Sequence, residues 1–413
     1  MSYHETKLAN GLTVVSEHMA AVESASVGIY VRTGSRAETQ NNNGVAHFLE
    51  HMAFKGTTTR TSEEIAREIE DVGGHINAYT SRETTAYHLK VLKEDLPLAV
   101  DILGDILQNS TFDKEEIEKE RLVILQELGQ SIDEPDEIVF ENLQKMTYPD
   151  HPMGRSILGT EETVKGISAD DLTGFMAEHY TADNMILSAV GNIDHAELVT
   201  LAEKHFSGLK NGLKDSYTAP EYTGGDVVEH RDLEQVHVVV SYEGFSIMHP
   251  AYYAANIWVA ILGGGMASRL FQEVREKRGL AYSVYSYLSN HSDCGTFGIY
   301  AGTGKDSVDE LINVIDTEIE KSLTTITDDE LKRAKAQLIA GIRMAQESTD
   351  SRMGRIARNI FVYGRFVPLQ EVIDEVEAVT IEAVQDSGKL LSNKETRALS
   401  ILGPMVTSEK VAS

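Results

Sequence analysis

The sequence predicts an α+β protein built from two tandem, homologous halves. Three observations carry this expectation. The chain has 413 residues, too many for one ordinary core, so two domains of about 200 residues each are expected. Residues 207–226 (SGLKNGLKDSYTAPEYTGGD) are polar and rich in Gly, Ser and Pro, and read as a linker. Residues 112–127 (FDKEEIEKERLVILQE) align without gaps on residues 326–341 (ITDDELKRAKAQLIAG), an offset of 214. The expected division is a first domain over 1–213, a linker over 214–226 and a second domain over 227–413.

Taken in order, Leu12–Val15 and Ser26–Arg32 (SVGIYVR) are strands by their β-branched and aromatic content. Gln40–Gly44 is a loop, and a helix follows within GVAHFLEHMAFKGT. Ser62 reads as the N-cap of a further helix with acids in its first turn, which Gly73-Gly74 ends. His75–Ser81 and Thr85–Val91 read as strands joined by a turn at Arg82-Glu83. Leu96–Gln108 and Asp113–Gln130 are helices, Glu161–Tyr180 is mostly helical, Met185–Val190 is a strand and Ala196–Phe206 closes this half as a helix. The second half repeats the plan with a strand at Gln235–Tyr242, a helix at Tyr252–Leu262, a strand at Phe297–Tyr300 and a helix at Val308–Leu323. Gly263-Gly264-Gly265 lacks the Lys-Ser/Thr of a phosphate loop and reads as a helix terminus.

Composition narrows the function. Net charge is −28, from 65 acidic and 37 basic residues, which disfavours nucleic acid as a partner, since phosphate binding wants a basic face. No apolar run is long enough to span a membrane. The opening MSYHETKLANGLTVV has neither the pattern of a signal peptide nor that of a transit peptide. With one cysteine, Cys294, the chain suits a reducing compartment, and a bacterial cytoplasmic setting is expected.

The chemistry concentrates in His47-Phe48-Leu49-Glu50-His51. At about 100° per residue, His47, Glu50 and His51 share one helical face within an arc of roughly 100°. Two imidazoles at i and i+4 can hold one metal ion, and a carboxylate beside them can serve a metal-bound water as general base. This order, H-x-x-E-H, is the inverzincin motif. The repeat supplies further candidates. Glu120 faces Ala334 and Glu127 faces Gly341 in the aligned halves, while HFLEH falls on Ile257–Ile261. Only the first copy therefore carries the acids and histidines. Glu127, in the apolar context VILQEL, is assigned as third zinc ligand. Glu120, two turns earlier on the same face, is assigned to hold a ligand histidine.

His47, Glu50, His51 and Glu127, with Glu127 placed 76 residues after His51, resemble the pitrilysin and insulysin family of zinc metallopeptidases. HFLEHMAFKGT and ERLVILQEL are similar to the catalytic, β-type subunit of the processing peptidases in that family and to its short bacterial relatives. The resemblance implies two tandem homologous α+β rolls, each an antiparallel-rich sheet with helices on one face. It implies one zinc ion per chain, and that the strand containing Asn77 and Ala78 binds substrate by strand addition. It assigns Arg275 and Tyr282, seven apart in VREKRGLAYSVY, to the peptide carbonyl or the oxyanion. Read as residues, these two could equally be a surface Arg and a half-buried sheet Tyr. The expected activity is endopeptidase action on extended, basic or presequence-like peptides. The expected assembly is a homodimer with composite active sites. A non-catalytic core or scaffold subunit descended from such a peptidase is the alternative.

Overall fold

A computed structural model describes residues 2–212 and 216–404. Part of the expected linker and the last nine residues thus lie outside the described residues. The first half of the chain runs β1 (Tyr3–Lys7), β2 (Thr13–His18), β3 (Ser24–Val31), α1 (Val45–Met52), α2 (Ser62–Asp71), β4 (His75–Thr80), β5 (Thr85–Leu92), α3 (Leu96–Gln108), α4 (Lys114–Asp133), α5 (Pro135–Thr147), α6 (Glu161–Gly166), α7 (Ala169–His179), β6 (Met185–Gly191) and α8 (His195–His205). The second half runs β7 (Gly225–His230), β8 (Val236–Glu243), α9 (Tyr252–Gly263), β9 (Ala281–Asn290), β10 (Gly295–Thr303), α10 (Val308–Ser322), α11 (Asp328–Ala345), α12 (Thr349–Tyr363), α13 (Leu369–Ala378), α14 (Ile381–Leu391) and β11 (Ala398–Gly403).

The strands form two sheets, ordered β1-β2-β6-β3-β5-β4 and β7-β11-β8-β10-β9. All pairings are antiparallel except β2 with β6 and β11 with β7. This is the expected pair of antiparallel-rich α+β units. Local sequence explains most boundaries. The N-cap of α2 is Thr61 rather than the expected Ser62. Its hydroxyl accepts from the Glu64 N–H while the Glu64 carboxylate accepts from the Thr61 N–H, a reciprocal arrangement that needs an acid three residues after the cap. Ser62 has Ile65 there.

The compact units do not follow chain order. The first comprises residues up to Gly129, Arg155–Thr218 and Met344–Phe366; the second takes Gln130–Gly154, Ala219–Arg343 and the residues from Val367 on. Each half thus lends one helix to the other half's sheet. The reason lies in the strands. β3 is buried along nearly its whole length and β6 along all of it, so both faces of the sheet need cover. Val27, Ile29 and Val31 point into the main core with Phe48, Leu49 and the α3 residues Ile102 and Leu103. Tyr30, Val15 and Ile186 point the other way and meet Met353, Ile356 and Ala357 of α12. Polar bonds fix that helix, with Ser26 Oγ donating to Thr349 Oγ1 at 2.7 Å and Arg352 paired to the buried Glu17 at 2.7 Å. In the second unit α5 does the same, laying Ile138, Val139 and Leu143 on Val239, Tyr300 and Leu402. None of the described helices is long and apolar enough to cross a membrane.

Candidate metal centre

α1 buries Val45, Ala46, Phe48, Leu49 and Met52 in the first core, which turns His47, Glu50 and His51 onto its remaining stripe. The helix starts at Gly44, whose φ of +95° is left-handed and where a Cβ would sit 2.9 Å from the Leu158 carbonyl oxygen. Glycine is required there on both counts. The Glu38 carboxylate accepts from the N–H groups of Gly44 and Ala46, each at 2.9 Å.

α4 supplies the acids. Its buried stripe is Ile117, Glu120, Ile124 and Leu128, so Glu120 points inward with the core side of the helix. Glu127 lies beside the stripe, its side chain 45% exposed. The apolar neighbours that marked Glu127 in the sequence are not all core residues: Val123 faces solvent. Glu127 Oε2 lies 3.7 Å from His47 Nε2 and 3.5 Å from His51 Nε2. One ligand atom from each of the three residues falls within 4.8 Å of the others, the only such group of His, Cys, Asp and Glu among the described residues. His51 Nδ1 lies 3.3 Å from Glu120 Oε2, and Lys55 pairs with the other Glu120 oxygen. A proton held on Nδ1 by Glu120 leaves the Nε2 lone pair of His51 free to ligate. Burial, and then the charge of His51, push the His47 imidazole down to about 4, so it is neutral at physiological pH, the form that binds metal. Burial also pushes the Glu50 carboxyl above the usual range, an effect partly offset by the polar groups of Thr80 and by His51. A raised pKa suits a carboxylate that must take up a proton.

β4 is an edge strand of the first sheet. Ala78 pairs in register with Tyr87, yet its N–H is taken by the Asn77 side-chain oxygen at 2.8 Å, so this N–H lies on the free edge. Thr80, the last residue of this strand, lies near Glu50, though its hydroxyl makes no hydrogen bond among the described residues. Arg275 and Tyr282 belong to the second unit. A π-helical turn over Phe271–Glu276, a left-handed Gly279 with φ of +62° and the start of β9 bring them together. The Arg275 guanidinium lies over the Tyr282 ring, 4.4 Å from its centroid, and Tyr282 is 79% exposed. In that unit, Ala260, Ile261 and Ala334, the aligned counterparts of Glu50, His51 and Glu120, line one shallow cleft. The internal repeat thus preserves the place while losing the ligands. Sequence reasoning missed Lys55 and Thr80, whose contacts to this site are tertiary, and Glu38, which reaches α1 across a loop.

Two histidines one helical turn apart, a glutamate from a second helix and a carboxylate beside them have the donor set that a metallopeptidase centre uses. The chain belongs to the insulinase family of peptidases. The family described as Insulinase (Peptidase family M16) matches residues 13–161, and its partner described as Peptidase M16 inactive domain matches residues 166–338. An uncharacterized zinc protease of Rickettsia felis is 41% identical over 405 residues, covering 98% of each chain. The mitochondrial-processing peptidase subunit beta of Blastocladiella emersonii is 38% identical over 410 residues, covering 97% of this chain and 88% of the relative. A protease from Helicobacter pylori shares the fold, with a TM-score of 0.90 at 23% identity and coverage of 98% and 99%.

Proposed function

We propose that this chain is a zinc-dependent endopeptidase that cuts extended, basic or presequence-like peptides. The observation that carries this reading is the convergence of His47, His51 and Glu127 within 4.8 Å, with Glu50 on the same helical face and next to the end of the edge strand β4. These three residues would hold the zinc, which supplies the positive charge that acidifies the attacking water and polarises the scissile carbonyl. Glu50 takes the proton of that water and passes it to the leaving amine. Glu120, neutralised by Lys55, keeps the His51 proton on Nδ1. A substrate strand pairs with the free edge at Ala78 after displacing the Asn77 side chain, which selects for extended chain rather than for sequence. Arg275 and Tyr282 donate hydrogen bonds to the substrate carbonyl or to the developing oxyanion. An intact ligand set with its base counts against a purely scaffolding role.

The net charge of −28 favours basic substrates. The test is a digest of an unbiased peptide library, with cleavage sites mapped by mass spectrometry at low and high salt. Cleavage inside Arg-rich peptides is expected, at rates that fall as salt shortens the reach of surface charge to about 8 Å or less. Equal rates on acidic and basic peptides at low salt would remove the electrostatic preference.

The working unit on this reading is a homodimer, with zinc ligands from one protomer and Arg275 and Tyr282 from its partner. Mixing inactive Glu50→Gln and Tyr282→Phe chains under subunit exchange should then restore part of the activity, because a mixed dimer holds one site with both residues intact. No recovery despite demonstrated exchange would rule out the shared site.

A further inference from the structure

The first turn of α1 is held by a group from outside the helix. α1 has eight residues, and His47 sits third in it, within the turn whose N–H groups lack helical partners and fray first. The residue in the capping position, Gly44, has no side chain to offer. Glu38 fills that role from six residues upstream. Its Oε2 accepts from the Gly44 N–H at 2.9 Å and the Asn43 side-chain amide at 2.8 Å, and its Oε1 accepts from the Ala46 N–H at 2.9 Å. The carboxyl group is 2% exposed as a residue, and burial pushes it up to about 7 against the hydrogen bonds and the nearby Arg155 charge that favour its ionised form. Burying a carboxylate is costly unless its bonds repay it, and these bonds converge on the turn that carries His47. The same loop is clamped on its far side: Asn43 also donates to the Ser156 carbonyl at 3.0 Å, and Arg155 donates to the Glu38 carbonyl.

We infer that Glu38 is a positioning residue for the metal centre: by tying the Gly44 and Ala46 N–H groups it locks the first turn of α1 and so fixes His47 relative to His51. The inference rests on the metal reading given above. It is tested on the full-length chain by zinc titration against a chelator of known affinity and by the visible spectrum of the cobalt-substituted protein. Glu38→Gln keeps the shape but replaces one acceptor oxygen with a donor facing an N–H. Its zinc affinity should fall about 10- to 100-fold, the range for residues that orient ligands, and its cobalt bands should change. Asn43→Ala removes one donor to Glu38 and should shift affinity in the same direction by a few-fold. A role confined to stability would lower the unfolding temperature of the metal-free chain and leave the cobalt spectrum of the folded chain unchanged. A parent chain that binds no zinc would overturn the metal reading, and this inference with it. A parent that binds zinc while Glu38→Gln matches it in affinity and spectrum would overturn the inference alone. Should Glu38→Gln not fold, parental zinc affinity in Asn43→Ala overturns it.

Discussion

Glu50→Gln should keep its zinc and lose its activity. The amide has the size of the carboxylate and fits the same place beside Thr80, so α1 and both histidines stay where they are. What disappears is the one carboxylate that α1 carries, which the account does not commit to the metal. General bases typically contribute 10²–10⁴-fold, so turnover of a fluorogenic peptide should fall by about 100-fold or more, with metal content per chain unchanged by mass spectrometry. Burial raises the pKa of this carboxyl, which makes it a better proton acceptor than a solvated glutamate and leaves it ionised only above its shifted pKa. Parental turnover in a zinc-loaded Glu50→Gln chain would show that the proton goes elsewhere.

Glu127→Gln should lose the zinc itself. Its carboxylate lies 3.7 and 3.5 Å from the two Nε2 atoms, and a neutral amide oxygen is a weaker partner for a dication. Zinc affinity should drop by more than the roughly 10- to 100-fold expected when a residue behind a ligand is altered, and activity should return only partly at high added zinc. Glu120→Gln provides the contrast, because it removes the group behind His51 rather than a ligand. It should fall inside that range, and its unpaired Lys55 is free to turn to solvent. Equal losses in the two variants would place both acids at the same distance from the metal and contradict the assignment of Glu127 as ligand.

The parts of this site that were legible in the sequence are those fixed by helical period. His47, Glu50 and His51 lie on one face because of their spacing alone, and Glu120 and Glu127 lie along one helix seven residues apart for the same reason. Leu96–Gln108 could be bounded to the residue because Pro97 sits in its first turn and its apolar pattern is unbroken. The exchange of α5 and α12 was not legible. An amphipathic helix announces that it will cover a core without stating which one, and Ile356 or Val139 would suit either sheet. Glu120 could be read as a surface acid or a buried one, and only the tertiary fold places it under His51 with Lys55 on its other oxygen. Glu38 left no pattern at all, since it caps a helix whose own capping residue is glycine, across an intervening loop. The cap of α2 could have been read correctly, because Thr61 and Glu64 have the reciprocal spacing and Ser62 and Ile65 do not.

The most direct test of the central claim is anomalous diffraction at the zinc edge from crystals of the zinc-loaded chain. One peak per chain is expected, bound by Nε2 of His47, Nε2 of His51 and a carboxylate oxygen of Glu127, with Glu50 adjacent but not coordinating and Glu120 in contact with His51 alone. A peak coordinated by Glu50 or Glu120 in place of Glu127, or no peak between the two histidines, would contradict the account.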